Sequence, residues 1–299
     1  MKTITIFTPT YNRAYILPNA YKSLLQQESL LFKWLIVDDG STDNTEDLVN
    51  AWIAENKIEI NYIKQKNAGK MASHNKGATE CDTELFMCLD SDDILCQNAI
   101  KSIVAHWNRE KKESKNILLS GIIAPKRVLN TKGLSAKKNV IPNDLHYSTL
   151  RDLYKNGYQG ETALVFRTQV IKKYPFPIFQ GEKFISEASA YERIDEKYQY
   201  SLMKEYVMNC EYQPNGYTQN GLRYMVQNPL GSAYCSNLRS KKKPFIKPKI
   251  REIITYSTMS LIGKQSFWSI IKNSNYPLIS FLTFPLCFIQ RKIILDKLK

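Results

Sequence analysis

The stretch Phe86–Asp93, FMCLDSDD, places three carboxylates within four positions after a run of apolar residues. The apolar run predicts a buried strand. Crowded carboxylates disfavour one another's ionisation, so cations or hydrogen-bond donors must hold Asp90, Asp92 and Asp93. A divalent cation is one such partner, because Mn²⁺ or Mg²⁺ commonly binds through one or two carboxylates plus substrate phosphates. The alternative is an Asx turn that caps a helix beginning at Ile94.

Polar side chains also follow two other apolar runs near the N-terminus. Thr8, Thr10 and Tyr11 end the first run and offer hydroxyls and an aromatic face to a nucleotide. The second run ends in Asp38–Asp43, where one acid is placed to accept a hydrogen bond from a base N–H. The alternative reading there is a turn followed by an N-cap, which Asp43 supplies.

A third candidate group lies on a predicted helix. Lys70 and His74 are four residues apart, so they share one helical face. They are suited to neutralising phosphates or contacting a base. A single histidine is more often a packed or solvated residue, which is the alternative for His74.

These residues are carried by alternating strand-like and helix-like segments. Strands are predicted at 3–9, 32–39, 57–65 and 84–90, and helices at 14–27, 45–55 and 69–80. Short β-α-β connections predict a mostly parallel sheet covered by helices, an α/β fold. Ligands bind at the carboxyl ends of such strands, so the three polar clusters should converge.

The pattern is less regular after residue 99. A strand is predicted at 116–125, a loop at 125–146, a strand and short helix at 162–177, and a helix start within 181–194. The change of pattern therefore divides one domain into a regular half at 1–98 and a less regular half at 99–225, followed by a C-terminal region at 226–299.

Composition limits the class of protein. The chain has 299 residues with 43% hydrophobic content, enough for one large or two small domains. The N-terminal residues lack the pattern of a signal peptide. The six cysteines form no CxxC pair and are expected to be reduced packing residues in the cytoplasm. Neither they nor the three histidines show zinc-ligand spacing.

The positive charge is concentrated in the C-terminal region. From Val226 onward there are 13 Lys or Arg residues and two acids, so this region carries +11 of the net +14. Such asymmetry indicates an anionic partner, either nucleic acid or phospholipid headgroups. The uncharged segment 273–290 contains two prolines, and we expect it to lie on a membrane rather than cross it. The alternative is a helical tail packed on the domain.

Four motifs together resemble glycosyltransferase family 2, the inverting enzymes with a GT-A fold. They are TPTYNRA, LIVDDGSTDNT, NAGKMASHNKGA and FMCLDSDD, in this order, and they cover residues 3–95. The stretch 166–194 is similar to a bacterial surface-polysaccharide branch of that family, which extends the resemblance to about residue 225.

The resemblance implies a role for each motif residue. Residues 1–98 would be the nucleotide-sugar-binding half and 99–225 the acceptor half of the domain. Thr8, Tyr11, Asp39 and Lys70 would hold the nucleoside, and Thr10, His74 and Ser91 complete the candidate nucleotide-sugar site. Asp90 would meet the ribose, and Asp90-Ser91-Asp92 would form the family's DXD motif. Asp92 would bind the Mn²⁺ or Mg²⁺ that bridges the donor diphosphate, with Asp93 behind it.

An inverting transfer also needs a general base for the acceptor hydroxyl. The family usually supplies it from a Glu-Asp pair, which this sequence lacks. Glu187 is our first candidate because it opens a helical segment, and Glu182 is the second. For each the alternative is a surface carboxylate or a helix cap. Gly160 and Glu161 are weaker candidates for the acceptor site.

The sequence therefore predicts a metal-dependent glycosyltransferase. UDP is the expected donor nucleotide, since the Asp39 and Lys70 pattern suits uracil. The basic tail favours a lipid-linked glycan acceptor at the inner face of a bacterial membrane, with no nucleic-acid partner. The alternatives are an inactive sugar-nucleotide binder and a basic nucleic-acid-binding protein; a nucleotidyltransferase would carry a Gly-rich basic loop near the N-terminus.

Overall fold

The computed structural model describes residues 2–114, 116–129, 140–211 and 220–298. The chain divides into two compact units. The first, here the sheet unit, is Met1–Pro175 with Tyr191–Gln213, and the second, the helical unit, is Phe176–Ala190 with Pro214–Lys299. The grouping of 176–190 with the C-terminal region is a feature that the sequence did not indicate.

The described part of the sheet unit contains ten strands in one mixed sheet. They are β1 (Ile4–Thr10), β2 (Phe32–Asp38), β3 (Ile60–Lys64), β4 (Leu85–Cys88), β5 (Ile94–Leu95), β6 (Leu119–Val128), β7 (Tyr147–Ser148), β8 (Thr162–Arg167), β9 (Gln199–Leu202) and β10 (Met208–Cys210). Their order is β3-β2-β1-β4-β8-β6-β10-β5, with β9 paired to β6 and β7. The first four in this order are parallel, whereas β8 runs antiparallel to both β4 and β6.

Helices cover this sheet. They are α1 (Leu17–Leu25), α2 (Thr45–Glu55), α3 (Lys70–Glu80), α4 (Ala99–Glu113), α5 (Leu150–Lys155) and α6 (Thr168–Ile171), while α7 (Ala188–Ile194) runs across the boundary between the units. The predicted α/β class and the first three helices are confirmed. The mostly parallel half of the sheet is the half that bears the three polar clusters.

Alternation along β1 packs the two faces of the sheet differently. Ile4 and Ile6 belong to the main apolar cluster with residues of α1, α2 and α4. Phe7 points to the other face, where its ring stacks on Phe86 with centroids 5.2 Å apart. On that face a Cβ at Gly77 of α3 would lie 2.4 Å from the Phe7 ring, so only glycine lets α3 approach this closely.

Two local predictions are wrong. The helix expected from Ile94 begins at Ala99, because Ile94 and Leu95 form β5 and pair with β10. The strand expected to end at Pro125 continues to Val128, so the first residues of the predicted loop 125–146 extend a central strand. Residues 130–139 of that loop lie outside the described residues.

The helical unit is built from five helices in its described part. They are α8 (Gly221–Gln227), α9 (Pro229–Lys242), α10 (Ile246–Ile262), α11 (Phe267–Asn273) and α12 (Pro277–Asp296). Its core cluster is Ala233, Tyr256, Met259, Ile270 and Ile294. Among the described residues, α12 is long and apolar enough to cross a membrane by length and composition.

Candidate active site

The carboxyl ends of β1, β2 and β4 lie side by side. In the strand register Thr10 is opposite Asp38, and Phe7 is opposite Cys88. Beyond β2 the Asp39 N–H donates to the Thr10 carbonyl at 2.8 Å. The three polar clusters are thus brought to one edge of the sheet, as their positions after parallel strands predict.

The loops that follow β1 and β2 are tied together by Asn12. This residue has a φ of 52°, in the left-handed region that asparagine tolerates better than most residues. Its Oδ1 accepts the Thr42 N–H at 2.8 Å, and its own N–H donates to Ser41 Oγ at 2.9 Å. Asp43 accepts the Ala14 N–H at 3.1 Å and the Thr45 N–H at 3.1 Å. The N-cap of α2 is Asn44, without a side-chain cap, so the prediction of Asp43 as the N-cap is wrong by one residue although its carboxylate does hold the first helical N–H.

The two adjacent acids Asp38 and Asp39 have different surroundings. Asp38 is fully buried, and its carboxylate accepts the Ser41 N–H at 2.7 Å and the Tyr62 hydroxyl at 2.6 Å. Burial and this hydrogen bond raise the pKa of Tyr62 well above its ordinary range. Asp38 is therefore a structural residue that joins β2 to β3.

Asp39 shapes the loop that leads into α3. Its carboxylate accepts Gln65 Nε2 at 2.8 Å, the Ala68 N–H at 2.9 Å and the Gly69 N–H at 2.7 Å. Gly69 has a φ of 94°, which favours glycine, and Lys70 follows it directly. Asp39 therefore fixes where α3 and Lys70 begin, and its predicted contact with a base stays a prediction.

Two lysines form ion pairs with acids of the FMCLDSDD stretch. Lys70 Nζ lies 2.9 Å from Asp90 Oδ1 and 3.0 Å from its Oδ2. Lys126 Nζ lies 2.7 Å from Asp93 Oδ2. Asp92 has no hydrogen bond or ion pair with any residue in the described part of the chain. The protein itself thus neutralises two of the three carboxylates and leaves Asp92 available.

The same arrangement separates the pKa values of the acids. Burial acts to raise the pKa of Asp90, but the charges of Lys70 and Lys126 outweigh it and hold that pKa well below the usual range. Burial raises the pKa of Asp93 to about 6 despite the Lys126 ammonium, and the neighbouring Asp90 charge adds to the increase. Lys126 is itself buried, but Asp93 and Asp90 raise its pKa and keep it charged.

Asp92 is the carboxylate best placed to hold a metal ion. Within the described ranges, no group of three or more His, Cys, Asp or Glu side chains could hold a metal ion alone. One carboxylate is nevertheless sufficient when phosphate oxygens supply further ligands, as is common for Mg²⁺. The donor set therefore fits a cation shared with a bound diphosphate.

The His74 side chain, on helix α3, is buried against the sheet. It is 3% exposed, and its ring meets Phe7 and Phe86 edge-to-face at centroid distances of 5.4 and 5.2 Å. Burial, with the Lys70 charge in support, lowers the pKa of His74 to about 3. The imidazole is therefore neutral at physiological pH and supplies no positive charge to a phosphate.

The other side chains predicted to contact the nucleotide-sugar differ in their exposure to solvent. Thr8 is fully buried, and its Oγ1 accepts the Trp34 indole N–H at 2.9 Å. Thr10 is buried with an Oγ1 that has no partner among the described residues. Ser91 is also buried, whereas Tyr11 is 47% exposed. Of these four side chains, Tyr11 is the one open to stacking with a base.

The two candidate bases belong to the helical unit. Glu182 accepts the Leu230 N–H at 2.6 Å and the Gly231 N–H at 2.8 Å, so its carboxylate caps the first turn of α9. This is the cap that the sequence left open as an alternative for Glu182. Glu187 is exposed and directly precedes α7, as predicted. Its role as the base stays a prediction.

Sequence reasoning missed Lys126. The sequence predicts a loop from Pro125 onward, yet proline is tolerated in β6 and Lys126 follows it within the same strand. The signal that could have found it is the charge balance: three crowded acids require more than one nearby cation, and Lys70 supplies only one.

The fold gathers three polar clusters at the carboxyl ends of parallel strands, the edge where such sheets bind ligands. Residues 5–138 match the model described as Glycosyl transferase family 2. The chain is 25% identical over 178 residues to the poly(ribitol-phosphate) beta-N-acetylglucosaminyltransferase TarP of Staphylococcus aureus, covering 56% of this chain and 53% of TarP. It spans about half the length, or less, of the first curated relatives it matches.

Solved structures support the fold independently of sequence. TarS of Staphylococcus aureus (residues 1–349) in complex with UDP-GlcNAc superimposes with a TM-score of 0.56 at 16% identity, covering 87% of this chain and 81% of TarS 1–349. The mannosyltransferase PcManGT from Pyrobaculum calidifontis, in complex with GDP-Man and Mn²⁺, gives a TM-score of 0.51 at 13% identity, covering 98% and 82%. At these identities the likeness establishes the fold.

Proposed function

We propose that this protein is an inverting glycosyltransferase that moves a sugar from a UDP-sugar to a hydroxyl of a lipid-linked bacterial surface glycan. The observation that carries the proposal is the division of labour among the three acids. Lys70 and Lys126 neutralise Asp90 and Asp93, while Asp92 has no partner among the described residues at the edge where such sheets bind ligands. The match of residues 5–138 to the family 2 model and the similarity to the poly(ribitol-phosphate) beta-N-acetylglucosaminyltransferase TarP support it.

In the proposed reaction each group has a separate task. Asp92 would hold Mn²⁺ or Mg²⁺ shared with the donor diphosphate, and an ion there would supply positive charge that makes the diphosphate a better leaving group. Asp90, ionised at physiological pH because of its lysine neighbours, accepts hydrogen bonds from the ribose. Tyr11 stacks on the base, and Asp39 accepts a hydrogen bond from it. The Mn²⁺ in the PcManGT complex supports the choice of cation.

Inversion requires a base that accepts the proton of the acceptor hydroxyl. We assign this role to Glu187, which is exposed and directly precedes α7, and keep Glu182 as the second candidate. The acceptor oxygen attacks the anomeric carbon, the bond to the diphosphate breaks, and the hydroxyl proton passes to the Glu187 carboxylate.

Release of nucleotide from the donor tests the proposal. The purified protein is incubated with UDP-, GDP- and dTDP-sugars in the presence of Mn²⁺ or EDTA, with Asp92→Ala, Glu187→Gln and the exposed-acid control Asp47→Ala alongside. We expect turnover of a UDP-sugar that is lost with EDTA and in Asp92→Ala and kept in Asp47→Ala. Absence of turnover with every donor, together with salt-sensitive binding to nucleic acid, would contradict it.

The Glu187→Gln variant separates the base assignment from the donor assignment. We expect it to bind the donor normally, as measured by calorimetry, but to lose transfer to an added acceptor. Full transfer activity in this variant would move the base to another residue without affecting the role of Asp92.

A further inference from the structure

Helix α12 has an inverted distribution of side chains. Its inward residues are mostly small or polar: Ser280, Thr283, Cys287 and Gln290, with Phe284 and Ile294. Its outward residues are large and apolar: Leu278, Phe281, Leu282, Leu286, Phe288, Ile289 and Ile293, all between 46% and 72% exposed. A helix on the surface of a water-soluble domain shows the opposite arrangement.

The inward face is held by hydrogen bonds that suit this polarity. Thr258 Oγ1 donates to Gln290 Oε1 at 2.8 Å, and Gln290 Nε2 donates to Thr255 Oγ1 at 3.2 Å. Ser280 Oγ lies 2.6 Å from Ser274 Oγ. Contacts between small and polar side chains are typical of helices that pack together in lipid, where apolar groups have no reason to turn inward. These hydrogen bonds fix the rotation of α12 about its own axis, and with that rotation the large apolar side chains face outward.

Positive charges border the outward face. Arg291 and Lys292 lie in the last turns of α12, both exposed and without an ion pair to any residue that the structure describes. Lys272 lies on α11 shortly before α12, and next to it Trp268 is 73% exposed. Exposed cations beside an aromatic and aliphatic surface are complementary to anionic headgroups above acyl chains.

The length of the uncharged part determines the orientation. The portion from Pro277 to Gln290 has 14 residues and is about 21 Å long, shorter than the roughly 30 Å of a bilayer's hydrocarbon core. Crossing would draw Arg291 and Lys292 into the hydrocarbon. Pro285 is exposed on the outward face, where its ring needs no partner in the protein.

We propose that the outward face of α12, with Trp268, docks on one leaflet of an anionic bilayer and lies parallel to the membrane plane. The proposal adds a membrane contact to the lipid-linked acceptor named in the proposed function and rests on that part of it alone. The outward side chains enter the upper acyl region, while Arg291 and Lys292 bind lipid phosphates. A second copy of this chain and a spanning helix are the competing arrangements.

Trp268 makes the proposal measurable in the full chain. The other three tryptophans, Trp34, Trp52 and Trp107, are at most 6% exposed, so a change in intrinsic fluorescence on adding vesicles reports Trp268. With vesicles of 30% phosphatidylglycerol in phosphatidylcholine we expect flotation with the vesicles and a blue shift. Lipids brominated at carbons 6 and 7 should quench more than lipids brominated at carbons 11 and 12. The reverse order of quenching would indicate a deep or spanning helix and overturn the orientation.

Matched variants test the surface itself. Leu282→Gln/Ile289→Gln removes apolar side chains without adding charge, and we expect roughly tenfold or greater loss of vesicle affinity. Arg291→Gln/Lys292→Gln should weaken binding about twentyfold on anionic vesicles and little on neutral ones. The control Leu30→Gln/Leu118→Gln alters two leucines of the sheet unit that are 60% and 59% exposed, and it should bind as the wild type does.

The outcomes separate this inference from the proposed function. Nucleotide release from a soluble UDP-sugar should be the same in wild type and Leu282→Gln/Ile289→Gln. If the protein turns over no donor but still floats with vesicles, the proposed function is wrong and the docking proposal stands. Wild type that does not bind vesicles would overturn the proposal. So would a dimer, detected by sedimentation without vesicles, that Leu282→Gln/Ile289→Gln dissociates while flotation is unchanged.

Discussion

The sheet unit and the helical unit satisfy their side chains in opposite ways. The sheet unit buries large apolar residues such as Trp34 and Phe86, and it pairs Lys126 with Asp93 inside. The helical unit buries Ser257, Thr258 and Ser280, and exposes large apolar residues along α12. We propose that Asp92 in the sheet unit and the outward face of α12 in the helical unit each bind something outside the protein.

That difference has a physical consequence for how each unit responds to mutation. In the sheet unit, a buried charge that loses its partner is costly, whereas a change at the unpartnered Asp92 should affect activity alone. In the helical unit the outward residues of α12 contribute little to packing, so their replacement should alter docking more than folding. The expected effects below follow from this contrast.

The largest effect is expected for Asp92→Asn. Donor turnover should fall about a thousandfold, because the variant removes one preorganised charge from the site. Thermal unfolding should stay within about 1 °C of wild type, since the carboxylate has no partner among the described residues. Nucleotide release and calorimetric melting measure the two quantities. A melting temperature lowered by several degrees would show that Asp92 is a structural acid and remove the contrast with Asp93.

Lys126→Met should destabilise the sheet unit by about 3 kcal/mol, because it leaves the Asp93 carboxylate buried without its counter-ion. Urea denaturation of the full chain measures the change. The double variant Lys126→Met/Asp93→Leu should recover most of the loss, since replacing a buried pair by apolar residues is often neutral. Additive losses in the double variant would mean that the two side chains act independently.

His74 should make stability depend on pH. Its folded-state pKa is about 3 against an ordinary value of 6.5, so between these values the unfolded chain binds one more proton. This contribution to stability falls as the pH is lowered from 6.5, by about 1.4 kcal/mol per unit. Below pH 6 the raised pKa of Asp93 opposes it, so the effect is measured as a difference between two proteins. Urea denaturation at pH 7, 6 and 5 should show that wild type loses about 1.4 kcal/mol more per pH unit than His74→Gln. Equal slopes in the two proteins would indicate that His74 is protonated in the fold.

The smallest effect is expected for Glu182→Gln in the helical unit. The variant weakens the cap of α9 at the Leu230 and Gly231 N–H groups and should reduce stability by about 1 kcal/mol. The matched control Glu59→Gln alters an exposed glutamate and should leave stability unchanged. Loss of sugar transfer in Glu182→Gln at unchanged stability would reverse our choice of Glu187 as the base.

Much of the sheet unit could be predicted because its signals are local. The predicted strands and helices of residues 3–90 correspond to β1–β4 and α1–α3 within a few residues. Apolar periodicity and capping residues decide these elements within ten or fifteen positions of the chain. The convergence of the polar clusters followed in turn, because parallel strands end at one edge. The short strand β5 at Ile94 could not be predicted in this way, since it depends on its pairing with β10.

The site could be predicted in its residues but not in its pairings. The sequence determined that three acids stand at the end of a strand and that Lys70 lies on a helix before them. Only the tertiary structure decided that Lys126, 33 positions beyond Asp93, enters the cluster and that Asp92 is the acid left over. Such long-range pairings depend on the position of β6 in the sheet, and no local sequence pattern predicts that position.

In the C-terminal region, too, the sequence determines which residues are apolar but not the direction in which they face. Its composition determined that 273–290 is uncharged and that basic residues surround it, which suffices to predict a contact with lipid or a packed tail. Which side of α12 faces outward was decided by tertiary contacts, because Gln290 and Ser280 find hydrogen-bond partners on α10 and at Ser274. A buried polar group must be paired, and that requirement turns the apolar side chains of α12 toward the exterior.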